Sequence, residues 1–140
     1  MGALDDPFLG YKFWVELESE LVGGFTECSG IQVETEVTDW AEGGDNSTIL
    51  RFPGRARYGN LTLKHGFSQD ESLWLWFMRV LKGTFEKRPL TVMMMDPMGM
   101  HQWVFSNAFP VKWIGPQLEA VGNRVAIETV EFAHEGILGF

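Results

Sequence analysis

Cysteine is almost missing from this chain: Cys28 stands alone in 140 residues. No disulfide framework can form within one copy, and such usage fits a reducing compartment. Long apolar runs are missing too, and none approaches the roughly 18 residues a helix needs to cross a bilayer. The opening MGALDDPFLG has no basic region and no cleavage-like site, and it carries Asp where a myristoylation signal requires Ser or Thr. No secretion signal, lipid or membrane anchor is expected from this segment, and synthesis in the cytoplasm is.

Positive charge is also scarce. The 11 Lys+Arg stand against 19 Asp+Glu, a formal net charge of -8. A chain of that sign repels a polyanion over most of its surface, so no specific nucleic-acid binding is expected. Catalytic signatures are lacking. There is no G-x-S-x-G elbow, no P-loop and no G-x-G-x-x-G segment, and Cys28 has no nearby His in sequence. His65, His101 and His134 are far apart, without a second His or Cys at ligand spacing. The acids of ETEVTDWAE alternate along a strand, with nothing to bury one and raise its pKa for catalysis. The expectation is a protein that is not an enzyme, with no catalytic residue, no cofactor and no metal.

What is present is the composition of one folded domain, 45% hydrophobic and 21% charged, with 11 Phe, 6 Trp and 16 Gly. Its length suits a single core. The aromatic surplus predicts aromatic-rich packing in the core or at interfaces.

Period-two alternation dominates the chain and reads as short strands. In YKFWVELE, Phe13, Val15 and Leu17 share one face. Gly23-Gly24 reads as a turn or bulge. IQVETEVTDW sets Ile31, Val33, Thr35 and Val37 against an outer face of Gln32, Glu34 and Glu36. NLTLKHG turns Leu61 and Leu63 inward. RPLTVMMM reads as a fully buried strand, DPMG as a turn from Asp96 to Gly99, and HQWVFSNAF as the hairpin partner. VKWIG and RVAIETVEFAHEG supply the last strands. The methionines Met93, Met94, Met95, Met98 and Met100 read as adaptable packing rather than a copper site, because a strand splits them between two faces.

One helix is expected, over about residues 69–83, with Ser68 and Glu71 as a capping box and Gly83 closing its C-terminus. Leu73, Phe77, Val80 and Leu81 make its stripe, and Trp74, Leu75, Trp76 and Met78 widen it beyond one face. Such a helix is either deeply buried or covered by a second surface. Seven or eight strands with one central helix predict a mainly β fold, an antiparallel β-sandwich or partly closed β-barrel with the helix packed on it.

The remaining anomaly is charge distribution. Residues 1–46 hold eleven acids and one base, whereas LRFPGRARYGNLTLKHG holds Arg51, Arg55, Arg57 and Lys64 and no acid. Residues 41–57, AEGGDNSTILRFPGRAR, lack a clean period and read as a long loop, of the kind that is functional when it occurs in a compact domain. A solvated loop, a nucleic-acid patch and a contact with another copy all fit the residue types. The sign of the whole chain favours the last, because an arginine fork pairs bidentately with carboxylates.

Taken in order, DPFLGYKFWVEL, GGFTECSGIQVETEV, EGG, PGRARYGNLTLKHG, DESLWLWF and WIGPQLEAVGNRVAIETVEFAHEGI resemble the tail tube (inner tube) protein family of contractile phages and related contractile injection systems. The resemblance covers nearly the whole chain, read as a single tail-tube domain over residues 1–140. It implies a structural, non-catalytic subunit whose homo-hexameric rings stack into a hollow conduit inside a contractile sheath. The implied partners are further copies, the sheath protein, baseplate and tube-terminator proteins, and cargo protein or DNA passing through the lumen. The implied setting is assembly in a bacterial cytoplasm, into a phage tail or tail-like particle that can be released. Arg51, Phe52, Arg55, Arg57 and Tyr58 are then expected at inter-subunit contacts, in the loop at about 41–57. Glu34 and Glu36 are expected to line the lumen. A tube-like paralogue at the baseplate or terminal ring remains a variant of this reading, and a small-ligand-binding β-barrel is the alternative of another class.

Overall fold

The computed structural model describes residues 12–41, 48–69, 71–84, 86–115, 120–121 and 124–138. In chain order these form β1 (Phe13–Leu17), β2 (Glu20–Ser29), β3 (Val33–Ala41), β4 (Ile49–Tyr58), β5 (Leu61–Ser68), α1 (Ser72–Leu81), β6 (Arg88–Asp96), β7 (Gly99–Ile114), β8 (Ala120–Val121), β9 (Arg124–Ala133) and β10 (Gly136–Ile137). Eight strands make one antiparallel sheet in the order β10-β7-β6-β1-β2-β5-β9-β8. A further pairing of β7 with β9 rolls six of them into a closed barrel. The fold is mainly β with one packed helix, as the alternation predicts, and the barrel is completely closed.

Period two decides what fills it. Val15 and Leu17 of β1, Leu61 and Leu63 of β5 and Leu90 and Val92 of β6 are buried, joined by Phe25, Phe105 and Phe132. A barrel of six strands is narrow, and these side chains occupy its interior. The β6 segment departs from the expected full burial. Its cover thins toward the hairpin tip, where Met95, Met98 and Met100 are exposed. VKWI is not a separate strand but the end of β7, which continues past an extra residue, Val111. Pro110 borders that bulge, where a missing N–H is tolerated. Gly23 and Gly24 lie inside β2 instead of turning it; the extra residue there is Val22. A side chain on Gly23 would collide with the backbone oxygen of Phe67.

Helix α1 closes over the barrel through Leu73 and Trp76, both fully buried. Trp76 packs 5.7 Å from the Phe132 ring, and its indole N–H donates to the Glu86 carbonyl at 2.8 Å. Arg88 lies 5.7 Å over the same indole and is held by Glu18 at 3.1 Å. The expected capping box is not formed. Ser68 instead ends β5, fully buried, and α1 starts after Glu71 with no side-chain cap. The strand's claim on Ser68, through sheet pairing with Gly23 and Val125, overrides the local helix signal. Gly83 does close the helix. Its φ is +88°, its N–H reaches the Val80 carbonyl and the Thr84 N–H reaches Arg79, the two bonds of a Schellman cap.

Trp76→Ala should cost about 3–5 kcal/mol in denaturant unfolding, through the cavity it leaves. Gly83→Ala should cost roughly 1–2 kcal/mol, the left-handed backbone penalty alone, since no atom lies within 4 Å of the added methyl.

Candidate functional site

Strands β3 and β4 belong to no part of the barrel. Among the described residues they pair only with each other, as a two-stranded sheet. The expected loop at about 41–57 is therefore mostly strand: residues 49–57 lie in β4, while residues 42–47 fall outside the described residues. Pro53-Gly54, which reads as a loop signal, sits at a bulge where Glu36 faces both Gly54 and Arg55. An outer strand tolerates proline there because its N–H has no ladder partner to lose.

The register sorts the side chains onto two faces. Val33 with Tyr58, Thr35 with Ala56, Val37 with Pro53, Asp39 with Arg51 and Ala41 with Ile49 share one face. Glu34 with Arg57, Thr38 with Phe52 and Trp40 with Leu50 share the other. The alternation expected for β3 is thus present, but its apolar side meets no core. Val33 is 57% exposed, Val37 52%, Trp40 63%, Ile49 62% and Phe52 51%. Only Ile31, just before the strand, packs against the barrel interior. An isolated two-stranded sheet is marginal in water, and open edges with uncovered aromatic and branched residues make an interaction surface.

The arginines find acids at home. Arg51 Nε lies 3.0 Å from Asp39 Oδ1, and Arg57 Nε lies 3.1 Å from Glu36 Oε1. Three acids on β3 and three arginines on β4 neutralise the hairpin. Arg55 and Glu34 are left without an ion pair among the described residues. Tyr58 is half-buried at the root, its ring 5.5 Å from that of His134. Sequence reasoning placed Arg51, Phe52, Arg55, Arg57 and Tyr58 on one segment, and the structure places them on one strand. It missed Val33, Val37, Trp40 and Ile49 as surface groups, because alternation marks an apolar face without saying what covers it.

A second apolar patch lies on α1. Trp74, Leu75 and Leu81 are exposed, and the Trp74 ring meets Trp113 edge-on at 5.2 Å. The other candidate chemistry is dispersed. His65 pairs with Glu128 at 3.1 Å and His101 with Asp96 at 2.9 Å. The Met98 N–H donates to Asp96 and, with His101, holds its carboxyl below the usual range. Burial pushes the Cys28 thiol up to about 12. No group of three or more His, Cys, Asp or Glu among the described residues is arranged to hold a metal ion.

The architecture is a closed barrel with one packed helix and a detached hairpin that is apolar on its exposed faces. Residues 9–138 match the family model of the T4-like virus tail tube protein gp19, and the chain belongs to that family. It is a structural subunit of a tube. The fold is shared with a chain of the anti-feeding prophage (AFP) baseplate, 6-fold symmetrised, at 26% identity, TM-score 0.66 and coverage of 92% of this chain and 93% of that one. It is shared likewise with a chain of the PVC extracellular contractile injection system sheath-tube complex in the extended state, at 22% identity, TM-score 0.66 and coverage of 97% and 93%. A chain of the AFP tube-terminating cap has 23% identity, TM-score 0.66 and coverage of 91% and 87%. No curated protein matches the chain.

Because Arg51 and Asp39 are both well exposed, a double-mutant cycle of Arg51→Ala and Asp39→Ala in the unassembled chain should give a coupling below about 1 kcal/mol. Cys28 should resist thiol-specific reagents at pH 8 in the folded protein and react once denatured, because the neutral thiol is not the nucleophile.

Proposed function

We propose that six copies close into a ring and that rings stack into a hollow conduit inside a contractile sheath, each copy's β3–β4 hairpin seating on a neighbouring copy in the same or the adjacent ring. The observation that carries this reading is the hairpin itself, projecting outside the barrel sheet with Val33, Val37, Trp40, Ile49 and Phe52 uncovered. Permanent interfaces of this kind typically exceed about 2,000 Å² and bury apolar surface of just this type. A heterologous contact joining two different patches closes by rotation, so the hairpin and the α1 face need not match themselves.

Within that contact Arg51, Phe52, Arg55, Arg57 and Tyr58 are the named groups. Arg55, without an ion pair among the described residues, is the arginine available to a carboxylate on the next copy. Glu34 and Glu36 are assigned to the lumen, where like charge discourages anionic cargo from adhering. Cargo protein or DNA passes without specific binding, no catalysis is involved, and assembly takes place in the bacterial cytoplasm. Sheath, baseplate and terminator proteins complete the particle.

A second reading is favoured by the similarity to chains from the AFP baseplate and cap structures: a ring at one end of the tube. Purified protein decides between them, since a tube subunit grows long filaments and an end-ring subunit stops at one ring. Arg55→Glu should leave the monomer folded by circular dichroism and abolish tubes in negative-stain electron microscopy. Normal tubes from this variant would remove Arg55 from the contact. A cryo-EM map with Glu34 and Glu36 away from the bore would remove them from the lumen.

A further inference from the structure

The hairpin is joined to the barrel through two short roots. One is residues 30–32, between β2 and β3, and the other is Gly59 and Asn60, between β4 and β5. No barrel strand pairs with the hairpin, so its direction is set at these roots. They are tightly fitted. Gly30 has φ +88° and lies against the Asn60 carbonyl too closely for any side chain, and Gln32 lies over Gly59. The Asn60 amide donates to Glu131 on β9 at 2.8 Å.

His134, just beyond β9, sits across the second root. Its Nε2 is 3.0 Å from the Gly59 carbonyl oxygen, and the backbone N–H of Gly136 donates to its Nδ1 at 3.2 Å. A carbonyl only accepts and an amide N–H only donates. The ring is therefore neutral, with its one proton on Nε2. Phe105 on β7 meets it edge-on at 4.8 Å, and Tyr58, the last residue of β4, lies at 5.5 Å. The titratable and charged groups around it are occupied or uncharged. From β4 there is the Tyr58 phenol; beyond β9, Glu135 is held by Lys87 and Asn107; on β9, Glu131 is held by Asn60. Among the described residues, His65 and His101 each have a carboxylate partner, and His134 has none.

We propose that His134 is a proton-operated latch on the root of the β3–β4 hairpin. Neutral, it joins Gly59 to Gly136 and fixes the hairpin in the direction that meets the next copy. Protonated, it presents N–H groups from both ring nitrogens. The Nδ1–H then opposes the N–H of Gly136, the contact opens, and the hairpin loses its fixed direction. Burial acts the same way, drawing the pKa of His134 below the ordinary histidine value, while the contacts with Gly59 and Gly136 oppose the shift. The fold favours the neutral ring, so the latch is complete above about pH 6.5, the unfolded value, and is lost as pH falls through the lower value the ring takes in the fold. This inference rests on the assembling role of the hairpin proposed above.

The test uses the full chain, kept unassembled at low concentration, and His134→Gln, whose amide still donates to Gly59 but does not titrate. Amide hydrogen exchange at pH 7.5 and 5.0, corrected for intrinsic rates, should show hairpin residues 33–41 and 49–58 losing protection roughly tenfold at the lower pH, what one lost hydrogen bond removes. Barrel strands should not change. H134Q should show no such loss, while His65→Gln and His101→Gln should respond as the parent does. Equal protection of the parent hairpin at both pH values, or a parent-like response from H134Q, overturns the latch. If H134Q fails to fold, the imidazole titration of His134 by NMR in the parent must coincide with hairpin loosening, and a mismatch overturns it equally. In sedimentation at high concentration, parent tubes should be lost at pH 5.0 and H134Q tubes kept. Absence of tubes at both pH values, with the exchange result intact, defeats the assembly reading and leaves the latch standing.

Discussion

Backbone hydrogen bonding between β7 and β9 is the constraint from which the rest of this molecule follows. It turns a sheet of antiparallel strands into a cylinder, so that each of the six barrel strands has a neighbour on both sides. The cylinder is then filled from within by Phe25, Leu61, Leu63, Leu90, Phe105 and Phe132 and covered by Trp76 from α1. Among the described strands, β3 and β4 form a separate sheet of two.

Charge and apolar surface play different parts on that hairpin. The acidic balance of the chain and the arginine-rich segment invite an account in which arginines reach for another copy's carboxylates. In the fold, two of the three arginines meet acids one strand away, at 3.0 and 3.1 Å. Exposed pairs of this kind contribute at most about 1 kcal/mol each, enough to favour one register over its slipped alternatives. Removing apolar area from water gains roughly 25 cal/mol per Å², so Val33, Val37, Trp40, Ile49 and Phe52 carry most of what a partner stands to gain. The ion pairs shape the hairpin, and the aromatic and branched residues make it adhesive. Arg55 stands at the bulge, opposite Glu36.

The geometry at the roots links the two bodies. Among the described residues, the hairpin joins the barrel at residues 30–32, Gly59 and Asn60, where Gly30 and Gly59 are sterically crowded and His134 contacts the Gly59 carbonyl.

Much of the barrel was legible from residue order alone. Alternation identified β1, β3 and β5, because a half-buried strand must place apolar groups at every second position, and the DPMG turn marked the β6–β7 hairpin. Gly83 announced the end of α1, since few residues other than glycine adopt its backbone. The resemblance of the sequence blocks supplied the tube family, which the match over residues 9–138 then established. Local signals misled where a long-range partner outbid them: Ser68 was claimed by β5 rather than by the helix, and Pro53-Gly54 became a bulge because an outer strand needs no N–H there. Which apolar faces are interior and which await another chain was decided only in three dimensions. Val15 and Val37 carry the same side chain in the same alternating pattern, and one is fully enclosed while the other is 52% exposed. A period of two records that a face is apolar; only the path of the chain in space determines whether its own core lies opposite.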